Sequence, residues 1–148
     1  MLTLHAADRL LRAPGAEPLA DGAVAVEGDR IAAVGTLGEL TARFPAARVR
    51  RWPGDLGPAL VHTGPLPDAP SPRERVHAVL KLGATAVLAE HADTAELRAA
   101  AGRGGVLVLG SPRPPVLTEA ARADLAAFDA TGACVATVCG GRLVHRRR

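Results

Sequence analysis

The middle of the chain, residues 56–115, constrains the fold most strongly because strand and helix patterns alternate there. Ser71 is a suitable N-cap for the first helical segment, which stops at Gly83. Asp93 is a suitable cap for the second, which stops at Gly102. The short apolar segments between and around them are typical of strands: "PALVHT", "ATAVLAE" and "GVLVLGSP". Strands that are joined through helices by short loops pair in parallel, so we predict a three-stranded parallel βαβαβ unit.

The two ends of the chain have a different pattern, in which short alternating strands are separated by tight turns. "GAVAVEGDRIAAVG" predicts a hairpin, "ARVRRWPGD" a strand that ends at Pro53-Gly54, and "ACVATVCGGRLVH" two strands about a two-glycine turn. The arginines that follow are predicted to form a solvated, poorly ordered tail. We therefore predict a mixed α/β fold, in which residues 1–55 and 116–148 build a small composite β-sandwich and residues 56–115 are inserted into it.

Composition limits the classes of partner. Aromatic residues make up only 2% of the chain, so it lacks the stacking platforms that single-stranded nucleic acids require. No apolar run approaches the length of a membrane span, and the N-terminus does not have the pattern of a secretion signal. Cys134 and Cys139 fit neither a redox motif nor a zinc motif and are expected to be free thiols. These features predict a soluble, cytoplasmic protein that binds neither nucleic acid nor membrane.

Several segments resemble the amidohydrolase superfamily, especially its imidazolonepropionase-like branch. "DGAVAVEGDRIAAVG" is similar to the opening hairpin of that family, and "LGPALVHTG" to the segment that leads into its first barrel strand. "EAARADLAAFDA" and "VCGGRLVHR" are similar to its closing segment. The resemblance implies a sandwich made from both chain ends, with a metal-binding (β/α)₈ barrel inserted between them. Such a barrel needs about 250 residues, so the resemblance implies that 56–115 is a remnant with most of the barrel missing.

The resemblance also implies a His-x-His pair of metal ligands at the end of the first barrel strand. His62 matches the first histidine and Thr63 the spacer, but Gly64 stands where the second histidine belongs. A catalytic zinc ion takes three protein ligands and a water molecule. Because the strands that carry the family's later ligands are missing as well, we expect no cofactor, with zinc as the alternative.

A different site could use the residues that remain at the C-terminal ends of the predicted strands, where α/β proteins bind ligands. The candidate ligand-binding residues are His62, Thr63, Glu90, His91 and Ser111, and His62 and His91 are the candidate metal ligands. The alternative is that His62 is a hydrogen-bonded remnant while Glu90 and His91 lie on a solvated loop.

The three predicted strands of the insertion are apolar at nearly every position, which is typical of strands buried on both faces. One face should carry the helices, and the other must be covered by the sandwich or by another chain. We therefore expect a homodimer or another protein partner. The favoured function is a non-catalytic amidohydrolase-like association or scaffolding module. The alternatives are a small-ligand or metal-binding protein, or a residual metal-dependent hydrolase of heterocycle C–N bonds, with its site around His62 and His91.

Overall fold

The computed structural model describes residues 1–147. The strands are β1 (Leu2–Leu10), β2 (Leu19–Ala20), β3 (Gly22–Glu27), β4 (Arg30–Thr36), β5 (Arg48–Pro58), β6 (Leu60–His62), β7 (Ala84–Leu88), β8 (Leu107–Leu109), β9 (Leu125–Phe128), β10 (Cys134–Cys139) and β11 (Arg142–Arg146). The helices are α1 (Leu37–Arg43), α2 (Pro72–Lys81) and α3 (Ala95–Arg103). None of the helices in these residues is long and apolar enough to cross a membrane.

The two chain ends meet in one large sheet, with the strand order β11-β10-β9-β5-β1-β3-β4 and β2 beside β1. The long strand β5 joins the two halves, because it pairs in parallel with β1 and antiparallel with β9. Asp55, for example, is opposite Arg9 on one side and Phe128 on the other. The N-terminal and C-terminal segments are therefore parts of a single hydrogen-bonded structure.

The large sheet folds over itself so that its two ends share one core. Val24 and Ile31 of β3 and β4 belong to the same buried cluster as Leu125 and Val138 of β9 and β10, with Trp52 of β5. The opposite face of the β1–β3–β4 part is covered by α1, whose Leu40 packs in a second cluster. The predicted sandwich is thus one continuous sheet whose layers face each other.

A separate parallel sheet has the order β6-β7-β8, which confirms the predicted mixed α/β fold with three parallel strands. Val79 of α2, Leu97 of α3 and Val87 of β7 share a buried cluster, so the helices cover one face of this sheet. The Thr137 hydroxyl of β10 donates a hydrogen bond of 2.7 Å to the Leu80 carbonyl of α2. The small sheet and its helices therefore pack directly on the large sheet.

The helix ends agree with the sequence for α2 and differ for α3. The Ser71 hydroxyl accepts a hydrogen bond from the Glu74 amide, as expected for an N-cap. The cap of α3 is Thr94, whose hydroxyl accepts from the Leu97 amide at 3.1 Å, so the prediction of Asp93 was wrong by one residue. The helix also continues past the predicted stop at Gly102 and ends at Arg103, with Gly104 as its C-cap.

The predicted end of a strand at Pro53-Gly54 was also wrong. β5 continues to Pro58, and its register against β1 shifts between Ala7 and Arg9, where one extra residue of β5 is accommodated. Gly54 has a φ of +81°, which allows the chain to bulge without leaving the sheet. The Pro-Gly pair, whose residue types are typical of a turn, therefore forms a β-bulge, because β5 pairs with β1 on one side and with β9 on the other.

The C-terminal arginines are better ordered than the sequence indicated. Arg146 belongs to β11, and the Arg147 amide donates a hydrogen bond of 2.8 Å to the Val135 carbonyl. The Arg147 guanidinium pairs with the Asp129 carboxylate. The prediction of a disordered tail was wrong for these residues, because β10 supplies backbone partners; Arg148 lies outside the described residues.

The strands of the small sheet are not equally buried. All five residues of β7 are buried, as predicted. In the outer strands, Leu60 of β6 is 41% exposed and Val108 of β8 is 37% exposed, so burial on both faces was wrong for these two strands. Outer strands have neighbours on one side only, which explains the difference.

Candidate ligand-binding site

The first predicted site residue, His62, lies at the end of β6 and is partly buried. Its Nε2 atom is 2.9 Å from the Pro65 carbonyl oxygen, within hydrogen-bond distance. Thr63, the next candidate, is exposed. His62 therefore bonds to the loop that follows it, which is the hydrogen-bonded alternative weighed from the sequence.

The other predicted residues lie on the loops after β7 and β8. Glu90 and His91 form part of a short 3₁₀ turn, Ala89–His91, and the distance from His91 Nε2 to Glu90 Oε1 is 3.9 Å. The Glu90 side chain is 71% exposed, and Ser111 is exposed as well. Glu90 and His91 are brought together, but among residues 1–147 no hydrogen bond or ion pair joins either of them to His62.

The residues present do not fit a zinc centre. Within residues 1–147, no three His, Cys, Asp or Glu side chains lie close enough together to hold a metal ion. A structural zinc site needs four protein ligands and a catalytic zinc site needs three. Neither His62 nor His91 alone supplies enough ligands for either kind of site. A Cβ atom built on Gly64 would meet no atom of residues 1–147 within 4 Å, so backbone packing does not exclude a side chain at this position.

A cavity of about 520 Å³ lies between the small sheet and the segment that leads into β9. We call it the junction cavity. Its floor includes one residue of each parallel strand, Val61, Ala86 and Leu107, and its wall includes Arg113, Val116, Arg122 and Asp124. The sequence alone does not predict this cavity, because its lining comes from separate segments that only the fold brings together. The one local signal was "SPRPPV", an arginine within a stiff proline-rich segment.

Arg122 anchors the wall of the junction cavity. Its Nε atom is 3.2 Å from the Asp124 carboxylate, and its Nη2 atom donates to the Gly105 carbonyl and to Cys139 Sγ. Both cysteines are free, as predicted. Arg122 thus links the loop before β8 to β10, and so fixes the small sheet against the large one.

Burial changes the acidity of two groups in this wall. Burial raises the pKa of Asp124, and the effect is opposed by the Gly140 amide and by the positive charges of Arg122 and Arg113. Burial also raises the pKa of the Cys139 thiol, so the thiol is protonated at neutral pH. Cys139 is therefore an inert member of the core rather than a nucleophile.

Comparison with known proteins identifies the class of fold. Residues 22–47 match the family described as "Imidazolonepropionase-like composite domain, bacteria". Guanine deaminase from E. coli superposes with a TM-score of 0.56 at 15% identity, over 73% of this chain and 35% of that enzyme. An adenosine deaminase from Xanthomonas campestris, solved with bound zinc, gives 0.53 at 22% identity, over 72% and 33%. No curated protein sequence matches the chain.

These matches define an amidohydrolase-type composite fold. The resemblance to the amidohydrolase superfamily is confirmed, with an imidazolonepropionase-like composite segment at residues 22–47. The chain spans about a third of the length of the enzymes it superposes on. Their activities belong to those enzymes, because similarity at this identity shows the fold alone.

Proposed function

We propose that this chain is a non-catalytic, amidohydrolase-like module whose role is association, in the first place with a second copy of itself. Residues 56–115 form the inserted unit in this proposal, a remnant of a metal-binding barrel carried by the composite domain of residues 1–55 and 116–148. The observation that carries the proposal is the order β6-β7-β8, which leaves an open strand on each side of the small sheet.

The metal-ligand position inherited from the family supports the non-catalytic part of the proposal. His62 uses Nε2 for the Pro65 carbonyl, and Gly64 offers no side chain although the loop has room for one. The absence of a histidine there is thus not forced by packing. A position that tolerates the ligand but lacks it is expected in a protein that has no use for the metal.

The open edge of β8 supports the association part. Within residues 1–147 no strand pairs with β8 on that side, and Val108 at its centre is 37% exposed. A two-fold axis perpendicular to the sheet would pair β8 with β8 of a second copy in an antiparallel arrangement. The result is a six-stranded sheet in which the open β8 edges of both copies and both valines are covered.

We expect the wild-type protein to sediment at micromolar concentration with twice the 15.1 kDa mass of the chain. Val108→Lys should shift it to the monomer, because a charged side chain on an edge strand opposes pairing. Leu82→Lys is the matched control, since Leu82 is 49% exposed but lies after α2, away from the edge. It should leave the dimer intact.

A wild-type protein that sediments as a clean monomer would contradict self-association. A dimer that persists in Val108→Lys would show that the contact lies on another surface. Co-purification of the monomer with one specific protein would instead support the hetero-complex that the sequence also allows.

Metal analysis tests the non-catalytic part. Protein purified without a histidine tag should contain far less than one zinc ion per chain, and EDTA should leave its melting temperature unchanged. Gly64→His should fold normally and still bind no stoichiometric zinc, because a His-x-His pair supplies too few ligands. Stoichiometric zinc in the wild type that is lost in His62→Ala would overturn this proposal in favour of a metal-binding protein or a residual hydrolase.

A further inference from the structure

We propose that the junction cavity binds a small organic anion with an apolar body, such as an aromatic carboxylate. This inference goes beyond the association role and does not depend on it. It also places the ligand away from the residues predicted from the sequence. The cavity is lined by Leu60 and Val61 of β6, Thr85 and Ala86 of β7 and Leu107 of β8, and within residues 1–147 its lining does not include His62, Glu90 or His91.

The shape of the cavity suits an apolar body. Val61, Ala86 and Leu107 lie side by side in register on adjacent strands and form a continuous apolar floor. Pro114, Pro115 and Val116 also line the cavity, and Val116 is 52% exposed. Sites for small organic ligands have volumes of roughly 300–1,000 Å³, and the 520 Å³ of this cavity falls within that range.

The charge of the lining suits an anion. Arg30, Arg113 and Arg122 line the cavity together with the carboxylate of Asp124. Asp124 already pairs with Arg122 at 3.2 Å and accepts a hydrogen bond from the Gly140 amide, and Arg30 pairs with Asp29. Among residues 1–147, no ion pair engages Arg113, which is exposed. The cavity therefore carries a net positive charge, with one arginine free to bind.

These two properties together favour a ligand that has both a negative charge and an apolar part. A guanidinium binds a carboxylate through two parallel hydrogen bonds, which fixes the orientation of the ligand. The apolar floor would then bury the ring, which adds the hydrophobic contribution. An inorganic anion would leave the floor uncovered, and a neutral aromatic compound would leave Arg113 without a partner.

The test uses three probes: 2-naphthoate, its neutral counterpart 2-naphthamide, and acetate, which has the charge without the ring. Calorimetric titration should show 2-naphthoate binding at least tenfold more tightly than either of the other two. Backbone amide NMR should place its largest chemical-shift changes at Ala86, Leu107 and Val116. Arg113→Gln should weaken 2-naphthoate binding about tenfold, a change of about 1.4 kcal/mol.

Arg103→Gln is the matched control, because Arg103 is an exposed arginine at the end of α3 that does not line this cavity. It should leave the affinity unchanged. Equal binding of 2-naphthoate and 2-naphthamide, no binding of 2-naphthoate at millimolar concentration, or shift changes on another surface would each overturn the proposal. Repeating the titration with Val108→Lys separates the two proposals, since the cavity should bind equally well whether the protein is a dimer or a monomer.

Discussion

Gly141→Ala is expected to lower the free energy of unfolding by about 4 kcal/mol, from backbone strain and overpacking together. Gly141 has a φ of +81°, and a Cβ atom there would overlap the Gly28 carbonyl oxygen and lie 2.9 Å from the Cα atom of Asp29. The turn between β10 and β11 thus touches the turn between β3 and β4 backbone to backbone. In a protein of this size the loss should lower the melting temperature by roughly 10 °C.

Gly132→Ala is the matched control for this prediction. Gly132 has a φ of +84°, but a Cβ atom there would meet nothing within 4 Å. Only the backbone strain remains, so this substitution should cost about 1–2 kcal/mol. The free energies of unfolding of both variants, measured by urea denaturation, separate the cost of backbone strain from the cost of the steric overlap. Equal losses would show that the two turns do not pack as closely as described.

Acidification from pH 7 to pH 5 is expected to remove about 2 kcal/mol of stability through His5 alone. Burial and the nearby Arg50 lower the pKa of His5 from 6.5 to about 4. Between pH 7 and pH 5 His5 becomes protonated in the unfolded chain but stays neutral in the folded chain. The free energy of unfolding therefore falls as the pH falls. The neutral ring is needed, because His5 Nδ1 accepts a hydrogen bond of 3.2 Å from Trp52 Nε1.

Equilibrium unfolding measured at several pH values tests this dependence. His5→Gln should fold with a smaller slope of stability against pH, because the amide oxygen can accept the Trp52 hydrogen bond without titrating. Identical slopes in the wild type and in His5→Gln would show that His5 is not the titrating group.

The sequence predicted the secondary-structure elements well where helix caps and turn residues define their ends. Ser71 and Pro72 begin α2 as the sequence indicated, and the two-glycine turn at Gly140 and Gly141 joins β10 to β11. Capping and turn geometry depend on a few neighbouring residues. The error at Thr94 has the same origin, since Asp93 and Thr94 can both cap a helix and only the chain path selects one.

The pairing of strands that are far apart in the sequence could not be predicted from such local signals. Nothing in "ARVRRWPGD" shows that β5 pairs with β1 on one side and with β9, about seventy residues later, on the other. That double pairing turns Pro53-Gly54 from a strand end into a bulge.

The candidate site likewise combines features that the sequence could predict with features that depend on the fold. Gly64 lies where the resemblance implies the second histidine of a metal-ligand pair, and it can be identified without the fold because a missing side chain is a local feature; the loss of a metal site there remains a prediction. The possible convergence of His62, Glu90, His91 and Ser111 depended on how the loops turn, and the structure gives His62 a partner in its own loop. The junction cavity exists only because the fold brings residues of the segment 113–124 together with residues of the small sheet.

The sequence by itself determined the order and type of the elements and the composite-domain resemblance, and it predicted the loss of a second ligand histidine at Gly64. Periodicity, caps and residue identity are properties of neighbours along the chain, so they can be read without the fold. The tertiary structure alone decided that the two chain ends share one sheet, that β8 has an open edge and that Arg113 faces a cavity. These features depend on contacts between distant residues, and such contacts exist only when the whole chain has folded.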